Sequence, residues 1–182
     1  MRYCTWDIET SDLKGDVGRI LCAVIYEPIR KKYTIFRNDE LSDCMADDAA
    51  IAVALRDELE KYHITMGWFS KGFDMSFVNT RLVKGGHKTI RPHLHLDGIW
   101  YMKGWRGLNT RSAKLAVAAE FFELKNRKPG VDVDVWISAA FGGNTEAMDI
   151  LVDRCKADCK ITSDVTDKLL DTGVVKNIQT YP

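Results

Sequence analysis

The sequence predicts an α/β fold, a mixed β-sheet with α-helices packed on it. Three observations carry that expectation. The chain opens with three runs rich in β-branched and aromatic residues, Arg2–Ile8, Arg19–Glu27 and Lys32–Arg37, separated by turn-rich segments. From Asp47 onward, stretches with apolar residues at helical spacing alternate with short strand-like runs. Finally, 182 residues with 46% hydrophobic content suffice for one compact domain, and neither an internal repeat nor a linker-like stretch divides them. Residues 1–182 therefore read as a single domain.

After the three opening strands, "DDAAIAVALRDELEKYH" (Asp47–His63) repeats apolar residues with helical period, and Asp47 and Asp48 stand where acidic groups favour a helix N-terminus. "ITMGWF" follows as a short strand, and "FDMSFVNTRLVKGG" as a helix stopped by Gly85 and Gly86. "LHLDGIW" (Leu94–Trp100) reads as a strand, and "TRSAKLAVAAEFFEL" (Thr110–Leu124) as an alanine-rich amphipathic helix capped by Thr110 or Ser112. "VDVDVWISAAF" alternates like a strand at first and can also turn helical. The segment from about Asn144 to Leu170 reads as one long helix, or two with a kink.

The formal charge is zero, but it is unevenly spread. Asn38–Glu60 carries eight acidic residues against Arg56 alone, whereas Arg81–Lys114 carries eight Lys/Arg against Asp97 alone. Such blocks are commonly solvated faces of opposite sign. The basic block also holds Trp100, Tyr101 and Trp105, an interleaving that suits a polyanion with bases to stack. Five cysteines without a CxxC pair argue for reduced thiols rather than disulfides or structural zinc, and Cys155 and Cys159, four residues apart, read as small core residues. No apolar run approaches a membrane span and no signal-peptide hydrophobic region is seen, so the expected location is cytoplasmic and away from membranes.

Chemistry concentrates in four acids. Asp7 and Glu9 lie two apart on a strand, so both side chains share a face, where they repel each other and are costly to bury without a counter-charge. The plain alternative, a solvated strand edge, fits poorly with a first strand that belongs inside the sheet. Asp74 stands at a strand-to-helix junction, where an acid also serves to satisfy free backbone N–H groups. Asp158 shares a helical stripe with Leu151, Arg154, Cys155 and Thr162, and Arg154, one turn earlier, is its candidate salt-bridge partner. Taken together, four carboxylates supply the oxygen ligands that Mg²⁺ or Mn²⁺ prefer. Two such ions would neutralise the cluster and flank an in-line attack on phosphorus.

"WDIET", "GWFSKGFDMSFVNTRL" and "RCKADCKIT", in that order, resemble the three motifs of the DEDD 3′–5′ exonucleases. The likeness extends over about residues 3 to 170, including "LHLDGIWYMKG" and "LNTRSAKLAVAAEFFEL", and is nearest in flavour to the proofreading exonuclease domain of family B DNA polymerases and its stand-alone bacterial and phage relatives. This resemblance implies a ribonuclease H-like sheet, its first three strands antiparallel and later ones added in parallel. It also implies that Asp7, Glu9, Asp74 and Asp158 hold two Mg²⁺ or Mn²⁺ ions, with Asp7 bridging them, Glu9 and Asp158 on the ion that activates water, and Asp74 on the other. Thr10 would sit beside the 3′-terminal nucleotide; the expected strand contacts are Phe73 and, from the basic aromatic block, Trp100, Tyr101 and Trp105. The implied reaction releases nucleoside 5′-monophosphates from single-stranded or frayed DNA, RNA being a second candidate substrate, and the implied setting is replication or repair.

Two positions depart from the family pattern. The third motif normally carries a tyrosine four residues before its aspartate or a histidine five before, to orient or deprotonate the attacking water; Arg154 and Asp153 stand there. The second motif often has an asparagine where this chain has Phe69. Three accounts follow: the metals alone activate water, Asp153 serves as base, or the protein is a slow or inactive relative that binds nucleic-acid ends or docks a partner. His93 and His95 share a strand face where they are alternatives for a transition metal, and Asp97 is either an outer neighbour of the metals or a cap for the segment after it.

Overall fold

The computed structural model describes residues 1–44, 46–102, 107–126 and 130–181. The three opening runs form strands β1 (Tyr3–Thr10), β2 (Ile20–Glu27) and β3 (Lys32–Arg37), paired antiparallel in turn. Strands β4 (Ile64–Gly67) and β5 (His93–Asp97) add in parallel on the other side of β1. A short β6 (Gln179–Tyr181), which has no counterpart among the sequence expectations, closes that edge antiparallel to β5. The order β3-β2-β1-β4-β5-β6 places β1 inside the sheet.

The helices are α1 (Asn38–Leu41), α2 (Ala49–Leu59), α3 (Asp74–Lys84), α4 (Ile99–Met102), α5 (Leu115–Phe121), α6 (Val133–Phe141) and α7 (Thr145–Asp171). Two differ from expectation for identifiable reasons, and a third resolves an open alternative. The strand expected over Leu94–Trp100 stops at Asp97, whose carboxylate accepts from the Ile99 N–H at 3.4 Å and starts α4. The helix expected from Thr110 begins only at Leu115, because the Thr110 hydroxyl is spent on the carbonyls of Met102 and Ser112, and the Ser112 hydroxyl on the Lys114 N–H. The "VDVDVWISAAF" segment becomes α6, since Val135, Trp136, Ala139 and Ala140 recur at helical spacing and pack against β2 and α7. Helix α7 is a single unbroken 27-residue rod, started by the Asn144 side chain, which accepts from the Ala147 N–H at 3.2 Å. No helix among the described residues is long and apolar enough to cross a membrane.

Strand periodicity divides the molecule. Cys4, Trp6 and Ile8 of β1 face α2 and α3, packing with Ile51, Leu55, Met75 and Leu82. On the other side of the sheet, Leu21, Cys22 and Val24 of β2 pack under α6 and α7, and α7 continues across Met66 and Leu96 of β4 and β5. The alternate residues of β1, Thr5, Asp7 and Glu9, consequently face α7: the Thr5 hydroxyl donates to the Cys159 carbonyl at 2.9 Å and the Cys155 thiol to the Asp7 carbonyl at 3.2 Å. Both cysteines are buried core thiols, as their spacing suggested.

One buried ion pair ties the other layer together. The Asp48 carboxylate accepts from the Ile20 N–H of β2 at 2.8 Å and from Nε and Nη2 of Arg81 on α3 at 2.9 and 2.6 Å, while Arg81 Nη1 donates to the Gly15 carbonyl at 3.0 Å. Arg81, which opens the basic block, is thus an internal brace. Removing one member of such a pair strands a buried charge. Asp48→Ala should lower unfolding free energy by about 3–5 kcal/mol in urea titrations, and a loss below about 1 kcal/mol would show that the brace is dispensable.

Candidate active site

The site is made where two strands part. β1 pairs with β4 only from Tyr3 to Thr5, so the Ile8 N–H is left facing α3 and donates to Asp74 Oδ1 at 3.3 Å. On its other side, β1 shifts register against β2 between Glu9 and Thr10, the kind of bulge that re-aims side chains beside active sites. Asp7 and Glu9 project toward α7, where Asp158 is buried, and ligand oxygens of Asp7, Glu9 and Asp158 all lie within 4.8 Å of one another. The structure thus brings an acid of α7 beside the strand pair. Asp74, the first residue of α3, is tied to the backbone N–H of Ile8, between Asp7 and Glu9, and is not one of that trio.

Crowding and burial set the electrostatics. Burial pushes the Asp74 carboxyl up to about 7; hydrogen bonds from its own N–H and that of Ile8 oppose the rise, while the charges of Asp97 and Glu9 add to it. Glu9 is held on both oxygens: Arg154 Nε donates to Oε1 at 2.8 Å and Trp136 Nε1 to Oε2 at 3.1 Å. The Arg154 guanidinium carbon also lies 5.2 Å from the centre of the Trp136 ring. Arg154 on α7 therefore reaches across to Glu9 of β1. Three carboxylates this close are a donor set suited to a hard divalent cation.

A second layer fixes the loop leading into Asp74. Asp97 Oδ1 accepts from the Phe69 N–H at 2.7 Å and Oδ2 from the Lys71 N–H at 2.9 Å, holding Phe69 in a left-handed conformation, φ 61°. Behind it, His95 Nδ1 is 2.6 Å from the Thr65 hydroxyl and Nε2 is 2.7 Å from the Ser70 hydroxyl, while His93 Nε2 meets the same Thr65 hydroxyl at 2.7 Å. Burial, then the positive charges of His93 and Lys71, lower His95 to about 3, so it is a neutral structural group. The two histidines brace β4 and β5 through hydroxyls. Asp97 proves to be a cap for the loop before it as well as the helix after it.

The remaining candidates are spread more widely. Thr10 ends β1 and donates to the Asp12 carbonyl at 2.7 Å. Phe73 packs tilted against Phe77, with ring centres 5.6 Å apart, beside a cleft lined by Leu13, Gly72, Ser76 and Thr80. Trp100 is exposed on α4, whereas the neighbouring Tyr101 is partly buried and donates to the Asn177 carbonyl at 3.1 Å. Trp105 lies outside the described residues. Asp153 is mostly exposed and pairs with Lys156 at 3.0 Å. In the basic block, Arg91 and Arg111 pair with Glu60 and Glu120, as Arg81 does with Asp48. Trp136 is the contributor that sequence reasoning missed. It lies in a segment with strand-like alternation, and no local motif marks it.

The family model of the RNase H superfamily matches residues 4–170. Among solved structures, the family B DNA polymerase from the hyperthermophilic archaeon Pyrobaculum calidifontis superposes with a TM-score of 0.73 at 14% sequence identity, over 96% of this chain and 25% of that one. The likeness is one of fold, and this chain spans about a quarter of the polymerase's length. No curated protein sequence matches the chain at a significant level.

The raised Asp74 carboxyl has a signed consequence. Its folded pKa lies above the unfolded value of 3.8, so the folded state binds the extra proton between about pH 4 and 7. Stability from this group is present below that window and lost as pH rises through it. In metal-free buffer, Asp74→Asn should therefore raise the urea midpoint over wild type at pH 8 and give little or no gain at pH 4. A gain that is the same at both pH values would contradict the assignment.

Proposed function

The chain belongs to the RNase H superfamily, and from that premise we propose that it is a metal-dependent 3′–5′ exonuclease acting on single-stranded or frayed DNA ends and releasing nucleoside 5′-monophosphates. The observation that carries the reading is the convergence of Asp7, Glu9 and Asp158 at the end of the inner strand, with Asp74 on the facing helix end. Divalent ions held there, Mg²⁺ or Mn²⁺ and two in the full mechanism, supply charge neutralisation for the phosphodiester and lower the pKa of water. In this reading Asp7, Glu9 and Asp158 bind cation on the α7 side, and Asp74 offers its second oxygen while the Ile8 N–H holds the first. Thr10 borders the terminal nucleotide, and Phe73, Trp100, Tyr101 and Trp105 lie along the strand. Asp153, turned to solvent beside Lys156, is poorly placed as a base. DNA is preferred to RNA, and a replication or repair setting is preferred, because the structural neighbour is a DNA polymerase.

A second reading, an end-binding or partner-docking module of low activity, is favoured by one contact, the Arg154–Glu9 pair in the middle of the carboxylates. A 5′-labelled single strand incubated with Mn²⁺ or Mg²⁺ separates the two. The exonuclease should produce a stepwise ladder that Asp7→Ala reduces by at least ~100-fold. Binding of the strand without any ladder would overturn the exonuclease reading in favour of the second.

A further inference from the structure

Glu9 has a protein cation of its own. Arg154 Nε sits 2.8 Å from Oε1 and Trp136 Nε1 3.1 Å from Oε2, so each oxygen of this carboxylate accepts a hydrogen bond from a side chain. The pair is largely desolvated, with side chains 17% and 10% exposed, and salt screens such a pair less than one at the surface. The Trp136 ring, 5.2 Å from the guanidinium carbon, adds a cation–π contact that holds the arginine in place. Arg154 also lies one helical turn before Asp158, so the guanidinium and a cation bound by Asp158 share the same end of the same helix face.

We propose that Arg154 is a built-in cation that takes the place of one of the two divalent ions: the protein without substrate holds one, and a second is admitted only when Arg154 leaves Glu9. The inference rests on the metal-dependent reading above. It assigns the departure from the family's third motif a consequence in metal binding, in addition to the loss of a water-orienting group. Arg154 is a positioning residue in this scheme: it acts through Glu9. The guanidinium suits the role because it is always charged, forks across planar carboxylates and is more weakly hydrated than an ammonium.

Mn²⁺ binding to the full chain without nucleic acid, followed by the electron paramagnetic resonance signal of the free ion, tests this directly. Arg154→Met, which keeps length and removes charge, should bind one more ion than wild type, two against one, and its first ion should bind at least ~10-fold more tightly once the nearby positive charge is gone. Trp136→Phe removes the other hydrogen bond to Glu9 but keeps the guanidinium, and should still bind one ion. Circular dichroism and thermal unfolding establish that each variant is folded. Equal stoichiometry and affinity in wild type and Arg154→Met would overturn the proposal. A second ion in Trp136→Phe would overturn it too, by showing that a loosened Glu9, rather than the arginine charge, is the gate. Because no strand is cleaved in this measurement, its failure leaves the exonuclease reading standing, and that reading fails separately by a missing ladder.

Discussion

Negative charge gathered at the end of an inner strand is the constraint to which the rest of this molecule answers. Asp7 and Glu9 share a face because a strand alternates, and the sheet order leaves that face covered by α7. A bare anionic pair in that position is unfavourable. The surroundings respond in three ways: Asp74 holds its proton to about 7, Arg154 supplies a positive charge and Trp136 supplies a hydrogen bond. On the metal-dependent reading, a divalent cation would be a fourth response, in competition with the second for Glu9.

The scaffold that imposes this crowding is stiff. Helix α7 runs along one face of the sheet from the β2 core to the β4–β5 core, and its register fixes Asp158 and Arg154 relative to β1 through the Thr5–Cys159 and Cys155–Asp7 hydrogen bonds. On the opposite face, the Asp48–Arg81 pair joins β2, α3 and the loop at Gly15. The loop before Asp74 is held by Asp97 and by the hydroxyl and imidazole chain of Ser70, His95, Thr65 and His93. Phe69 keeps its left-handed backbone because its own N–H and that of Lys71 are pinned to one carboxylate. Strain of this kind persists only where the surroundings over-determine it.

Much of the fold was legible because its signals are local. β1, β2 and β3 announce themselves by residue type, α2 and α3 by period, and α7 by an apolar stripe sustained over seven turns. The errors arose where a side chain was spent elsewhere. Thr110 and Ser112 look like helix caps, yet their hydroxyls bond within the loop, and Leu94–Trp100 looks like one strand until Asp97 turns the chain. Of the basic block, Arg81 is buried against Asp48, while Arg91 and Arg111 each pair with an acid outside the block.

By itself, the sequence determined which acids share a face, that the opening strands form a mixed sheet with helices on it, and that the long last helix carries Asp158 among core residues. These follow from periods of two and 3.6 residues, which act over short distances. Only the tertiary structure decided that Asp7, Glu9 and Asp158 meet while Asp74 is tied to the Ile8 N–H, and that Arg154 answers Glu9 rather than serving only its own helix. It alone brought Trp136, 127 residues away in the chain, onto the same carboxylate. The reason is physical: which charges neutralise one another depends on distance through a low-dielectric interior, and that distance is set by packing, not by separation along the chain.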